Sequence, residues 1–298
     1  MKKYLALSRT THAVLDIALP GFCALLWLGS FPHWSTLGLA LLTVFAGYTA
    51  IYALNDLVGV MGDREKFAGG INAGYSVEAS ELRYPLARQA MRYRDGWIWF
   101  AFWITIALTG SCLLNLAILV ILVAAALLEV VYCLLFKVTY LRVLVSGLVK
   151  SAGPVAAVFT VDHHPAPSLL LVIFAWVFFW EIGGQNIPAD WNDTAEDRRV
   201  NAKTIPIHFG TQKAGLIVIV ALSLTVLTSL FLPVVSPVSL GVPYLVASLL
   251  VGLVLLLRPG YSLYRHHQEG RLAARLFDNA SYYPLAQLAL LALFVMIK

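Results

Sequence analysis

The sequence predicts an all-α, polytopic membrane protein of about nine transmembrane helices surrounding a central cavity, with a cap on the cytoplasmic side. Composition and charge placement predict it together. Of the 298 residues 60% are hydrophobic and only 12% charged, about half the charged share of roughly 25% usual in a soluble domain. The apolar residues fall into runs long enough to cross a bilayer, for which about 20 residues suffice.

Taken in order, the runs lie near 13–30, 35–54, 96–115, 116–136, 141–161, 168–187, 214–232, 239–257 and 280–297. The third and fourth form one long apolar stretch, divided at its turn formers Thr109-Gly110-Ser111 and Asn115. The whole chain, 1–298, reads as a single transmembrane domain. Its long polar connections, roughly 55–95 and 186–213, are where a soluble cap would form over a cavity.

Basic residues collect in cytoplasmic loops. With the N-terminus inside, the inner face receives Lys2, Lys3 and Arg9, then Arg64, Lys66, Arg83, Arg88, Arg92 and Arg94. It also receives Lys137 and Arg142, then Arg198, Arg199, Lys203 and Lys213, then Arg258, Arg265, Arg271 and Arg275. These are 19 of the 21 Lys and Arg residues. Lys150 lies within a span and Lys298 ends the chain on the far side. The spans therefore predict an inner N-terminus and an outer C-terminus, with the polar chemistry on the inner face.

The same placement excludes other classes. A net charge of +5 spread between apolar spans is not a nucleic-acid patch. Cys23, Cys112 and Cys133 sit in apolar stretches without a C-x-x-C pair, so neither a disulfide framework nor a zinc site is indicated. Met1-Lys2-Lys3 could open a signal peptide, but Arg9 and Asp16 interrupt the following run and no small-x-small cleavage site follows, so a retained first helix is expected. His163-His164 and His266-His267 lack the i, i+4 spacing that places two ligands on one helical face.

Two acidic clusters stand out. Asn55-Asp56 and Asp63 mark the inner end of the second span, Asp56 and Asp63 seven residues apart and so on nearly one helix face. After the sixth span, Asn186, Asp190, Asp193 and Asp197 follow steps of four, three and four. Carboxylates stacked on one face repel, and at the end of an apolar span the cost grows unless cations intervene. Hard oxygen ligands of this kind suit Mg²⁺, which binds through one or two carboxylates plus substrate phosphates. Two facing clusters could hold two Mg²⁺ ions around one diphosphate, with Asp56, Asp63, Asp190, Asp193 and Asp197 as metal ligands.

A departing diphosphate gains negative charge, so cations aimed at it stabilise the transition state. Arg83, Lys137, Arg142 and Lys203 are the inner-face candidates. Buried ionisable residues are functional candidates too, and here they are Asp16, Glu129, Lys150 and Glu181. Glu129 and Lys150 are expected to pair within the bundle, and Asp16 to lie near the inner surface within reach of an acceptor.

On these residues the chain resembles the UbiA superfamily of intramembrane prenyltransferases. The family's N-D-x-x-D-x-x-x-D motif is matched by Asn55, Asp56 and Asp63, with Gly59 in place of the central Asp. Its D-x-x-D-x-x-x-D motif is matched in full by Asp190, Asp193 and Asp197, and Lys203 through Gly210 is similar to its K-T-x-P-x-x-x-G tail. Arg83-Tyr-Pro-Leu-Ala is similar to an R-x-P-L-A element, displaced by a stretch containing Gly69-Gly70, and Tyr132 through Lys137 to a Y-x-x-x-K region with one extra residue.

The resemblance implies nine helices, two cytoplasmic Asp-rich segments and a lateral opening for an isoprenoid tail. It implies catalytic roles for Arg83, Tyr132, Lys137 and Lys203. Substrate binding would fall to Asn55, Asn186, Arg83, Lys137, Arg142 and Lys203. The partners implied are a prenyl diphosphate donor, an aromatic or lipid acceptor, and membrane lipids. The donor would ionise to an allylic cation that the acceptor attacks. A cyclase of the same family would instead capture the cation with the substrate's own double bonds. A transporter would spread polar groups through the depth of the bilayer, around Asp16, Glu129, Lys150 and Glu181.

Overall fold

The structure, a computed structural model, describes residues 1–66, 68 and 83–297. The described residues contain nine helices apolar and long enough to span a membrane: α1 Thr10–Leu28, α2 Trp34–Lys66, α3 Tyr93–Leu114, α4 Leu116–Lys137, α5 Arg142–Val161, α6 Pro167–Asn192, α7 Ile205–Val235, α8 Gly241–Arg265 and α9 Gly270–Ile297. A short helix, Lys2–Leu7, precedes them, and another, Thr194–Arg199, follows α6. Every expected span is present.

Local chemistry sets the breaks. Gly29 ends α1 in the left-handed region at φ 68°, which L side chains disfavour, and a Cβ there would lie 2.7 Å from Val238 Cγ2. Asn115 divides α3 from α4: its backbone is extended and its side chain accepts a hydrogen bond from the Ala117 N–H at 2.9 Å, an N-cap. Proline opens α6 and α7 in the first turn, where its missing N–H costs nothing.

The expected inner boundaries fall short. The apolar run of the second span ends at 54, but the helix continues to Lys66, so Asp56 and Asp63 lie on a continuous helix. The 186–213 connection is mostly helix as well, its α7 starting at Ile205 rather than 214 and changing direction at Gly210, φ 78°. Apolar length locates the bilayer-crossing part of a helix and not its polar extension. The stretch around Gly69-Gly70, and any cap formed there, lies outside the described residues.

The bundle has a filled half and a hollow half. In the filled half α6, α7, α8 and α9 pack on one another and on α1 and α5, burying Trp176, Trp180, Tyr244 and Tyr283. Several polar groups there find partners, as an apolar medium favours, although the Tyr244 hydroxyl has none among the described residues. The Trp176 indole donates to the Tyr283 hydroxyl at 3.1 Å, the Trp180 indole to the Ala280 carbonyl at 3.0 Å, and Gln185 to the Ser281 hydroxyl at 3.2 Å. The hollow half is bounded by α1, α2, α4 and α5, closed on one side by α6 and α9. It contains a cavity of about 960 Å³.

A π-helical segment, Glu181–Asn186, continues α6 between the halves. Its two glycines allow close approach: a Cβ on Gly183 would sit 2.9 Å from the Ala221 Cβ, and one on Gly184 2.9 Å from the Ala280 Cβ. Small residues at such contacts are how membrane helices pack closely. Gly184→Ala should destabilise the protein by about 1–3 kcal/mol through overpacking, seen as a lower melting temperature in detergent. Ala280→Gly in the same chain should restore most of the loss. Simple addition of two losses would show that this contact does not position the segment.

Candidate active site

At one end of the cavity the two acidic clusters meet. Asn55, Asp56 and Asp63 come from the polar extension of α2. Asn186 and Asp190 come from the end of α6, and Asp193 sits at the bend (φ −92°) before the short helix that carries Asp197. The second cluster is therefore a bent pair of helical turns and not one straight stripe. Asp63, Asp190 and Asp193 line the cavity.

Cations hold most of these acids. Arg142 donates to Asp190 at 2.8 Å, its guanidinium 4.5 Å from the Tyr132 ring centre and 4.7 Å from that of Phe136. Lys66 bridges Asp193 at 2.9 Å and Asp197 at 2.7 Å, and Arg83 approaches Asp193 at 3.8 Å. Arg9 donates to Asn55 and Asp56, both at 3.2 Å. Its own backbone is left-handed at φ 44°, between the leading helix and α1. Asp63, by contrast, has no side-chain hydrogen bond or ion pair among the described residues.

The acids divide electrically. Burial acts to raise the Asp193 carboxyl, but Lys66 and Arg83 outweigh it and hold it below its ordinary value. Burial pushes the Asp197 carboxyl up, with Lys66 opposing and Asp190 adding. Burial likewise raises the Tyr84 phenol to about 12, against Arg83 and Arg9. Asp193 is thus kept as an anion more firmly than Asp197.

The predicted residues are mostly brought together. Asn186 donates to the Tyr132 hydroxyl at 2.9 Å, and Asn55 to Glu129 at 2.5 Å. Lys137 lies at the rim, paired at 2.5 Å with Glu65. Lys203 is the exception: its side chain is exposed and outside the cavity lining, while its backbone N–H holds the Phe136 carbonyl at 2.8 Å. The Glu129 to Lys150 pair expected from the sequence does not form. Lys150 reaches Asp16 at 2.5 Å instead, since Asn55 already occupies Glu129. Sequence reasoning missed Arg9 and Lys66, counted only as inner-face charges. The signal for Lys66 was its position three residues after Asp63 on one helix.

The donor set fits Mg²⁺ bound together with phosphate. Hard carboxylate oxygens from two elements line the cavity, and the Asp63 carboxylate has no ion pair among the described residues. Among the described residues no three acidic, His or Cys side chains converge on one point. An ion there would complete its shell from phosphate and water, as Mg²⁺ commonly does.

The sequence profile of the UbiA prenyltransferase family matches residues 17–283. The chain belongs to that family. Solved structures share the UbiA fold. A digeranylgeranylglyceryl phosphate synthase is 17% identical with a TM-score of 0.69, covering 100% of this chain and 99% of its own. A UbiA homolog from Archaeoglobus fulgidus bound to DMAPP and Mg²⁺ is 16% identical with a TM-score of 0.69, covering 97% and 99%. An apo UbiA homolog from Aeropyrum pernix K1 is 17% identical with a TM-score of 0.70, covering 96% and 97%. No curated protein sequence matches the chain. The chain is thus a multi-pass membrane prenyltransferase by family.

The ion pairs make a testable statement about the cradle. Lys66→Met would leave two buried carboxylates short of a cation, and breaking a buried pair costs about 3–5 kcal/mol. Its melting temperature should fall below that of the natural protein, and Mg²⁺ with inorganic pyrophosphate should recover a larger part of the gap than either alone. Equal melting temperatures without ligand would show that Lys66 does not balance this site.

Proposed function

We propose that the protein transfers a prenyl group from an allylic prenyl diphosphate to an acceptor within the membrane, in a Mg²⁺-dependent reaction that releases diphosphate. The observation that carries this is the composition of one cavity: acids interleaved with cations at its end, apolar walls along its length. The diphosphate belongs at the charged end. Arg142, Lys66 and Arg83 can exchange their carboxylate partners for phosphate oxygens, with Lys137 at the rim. Mg²⁺ held by Asp63, Asp190 and Asp193, backed by Asp56 and Asp197, would tie the diphosphate to the protein and withdraw charge from it. DMAPP and Mg²⁺ in the A. fulgidus homolog support this donor class.

The tail fits along Ile118, Ile121, Leu122 and Ala125 of α4 and the small Ala152, Gly153 and Ala156 of α5. These walls keep water from the allylic cation. Tyr132, whose hydroxyl Asn186 holds and whose ring lies under Arg142, is fixed beside the leaving group. Gly59 also lines the cavity, its missing side chain facing the Asp63 carboxylate at 3.4 Å. Gly59→Asp would restore a third carboxylate to the α2 cluster.

Diphosphate release from a panel of prenyl diphosphates, with mass spectrometry of the products, tests the proposal. Chelation of Mg²⁺ and Asp190→Ala or Asp193→Ala should abolish turnover. Arg142→Met should lower kcat on the order of 10²-fold, the loss typical of one electrostatic donor. Lys203→Ala, its side chain outside the cavity, should change kcat far less, whereas a loss matching Arg142→Met would make it part of the catalytic machinery. Full turnover by Asp190→Ala at limiting Mg²⁺ would defeat the reading.

The proposal also assigns the charged end to the cytoplasmic side, following the basic residues. With the exposed Cys112 replaced by Ala, an impermeant thiol reagent should label Arg199→Cys only from the cytoplasmic side. His164→Cys should be labelled only from the other side. Labelling of both from one side would overturn the topology.

A further inference from the structure

Deeper in the cavity lies a second polar cluster, which donor binding leaves unexplained. Along one face of α5 the residues Arg142, Ser146, Lys150 and Gly153 follow steps of four, four and three, all lining the cavity. Each meets a group from another helix. Arg142 holds Asp190, and Ser146 donates to Glu181 Oε1 at 2.6 Å. Lys150 donates to Asp16 at 2.5 Å and to the Tyr52 hydroxyl at 2.8 Å, while Tyr52 itself donates to Asp16. A Cβ on Gly153 would sit 3.0 Å from the Tyr48 hydroxyl.

Below Arg142, whose Nε is itself unpartnered, Glu181 Oε2 and the Tyr48 hydroxyl are buried without a hydrogen bond among the described residues, although both residues line the cavity and Glu181 is only 7% exposed. Orphaned buried polar atoms are rare in native structures and demand an explanation. At 1.5 Å per residue, Ser146 lies about 6 Å and Lys150 about 12 Å deeper along α5 than Arg142. A group bound between them lies about one to two turns below the leaving-group end, where an acceptor must wait.

Resting on the proposed prenyl transfer, we infer that Glu181, Lys150 and Tyr48 form the binding site for the acceptor's headgroup and select one that carries a neutral hydroxyl. Such a hydroxyl donates to Glu181 Oε2 and accepts from the Tyr48 hydroxyl or Lys150. An anionic headgroup fits worse, since Glu181 and Asp16 already present two carboxylates to one lysine. The rings of Tyr48 and Tyr52, both lining the cavity with centres 6.0 and 5.4 Å from the Lys150 ammonium, give the headgroup flat apolar walls. The hydroxyl can come from a phenol or from a lipid alcohol, and the two make separate arms of the test.

The purified protein with Mg²⁺ and a non-ionising geranyl thiolodiphosphate is titrated with hydroquinone in one arm and a monoalkyl glycerol in the other. Thermal stabilisation reads binding, and Mg²⁺-dependent binding of the thiolodiphosphate is measured separately. One of the two alcohols should stabilise the natural protein, and 4-methoxybenzoate, an anion without hydroxyl, should not. Glu181→Gln should weaken alcohol binding at least tenfold and leave thiolodiphosphate binding within about twofold. Tyr48→Phe removes only an unbonded hydroxyl, so it should fold normally and weaken alcohol binding several-fold. Binding of neither alcohol, or equal binding by natural protein and Tyr48→Phe, overturns the inference. Failure of the natural protein to bind the thiolodiphosphate defeats instead the prenyl-transfer reading on which it rests.

Discussion

Carboxylates at the end of an apolar bundle must be neutralised, and much of the architecture at that end follows from this requirement. A buried charge without a partner costs several kcal/mol, and Asp56, Asp190, Asp193 and Asp197 are all buried. Each is met by a cation brought from elsewhere: Arg9 from the turn before α1, Arg142 from the start of α5, Lys66 from the last turn of α2. These pairs tie the ends of α1, α2, α5 and α6 together. The left-handed backbone at Arg9 belongs to the same arrangement, turning the chain between the leading helix and α1 where the guanidinium reaches α2.

Charge balance of this kind suits exchange. A cradle in which cations already stand beside acids can accept a diphosphate at the cations and metal at the acids without creating a large net field at any stage. The ligand replaces interactions that exist, so the groups are already oriented, and oriented groups lose little free energy to reorganisation when charge develops on the leaving oxygen.

The asymmetry of the bundle serves the same chemistry. Its filled half is locked by tryptophan and tyrosine hydrogen bonds and by the glycines of the π segment, which make a rigid wall of α6. The hollow half keeps its volume because α5 presents small residues to it. One face of α5 then carries polar groups at successive depths, from Arg142 at the charged end to Lys150 within the membrane. In the proposed reaction a single helix would thereby set the spacing between the leaving group and whatever the deeper cluster binds.

The sequence by itself determined the class of the protein. Apolar length defined nine spans, the clustering of Lys and Arg at one end of them implied a consistent sidedness, and the spacing of Asp190, Asp193 and Asp197 marked the second acidic cluster. These are local properties, carried by runs and short repeats. Only the tertiary structure decided which charge meets which. Arg9 lies 47 residues from Asp56 and Lys66 lies 127 from Asp193, so no local pattern joins them, and both looked like ordinary inner-face charges. The same limit explains Lys150, which pairs with Asp16 across the bundle and not with Glu129, and Lys203, which follows the acidic motif in sequence while its side chain is exposed and outside the cavity lining. Helical periodicity tells which residues share a face. Which face a neighbouring helix fills depends on packing among nine of them.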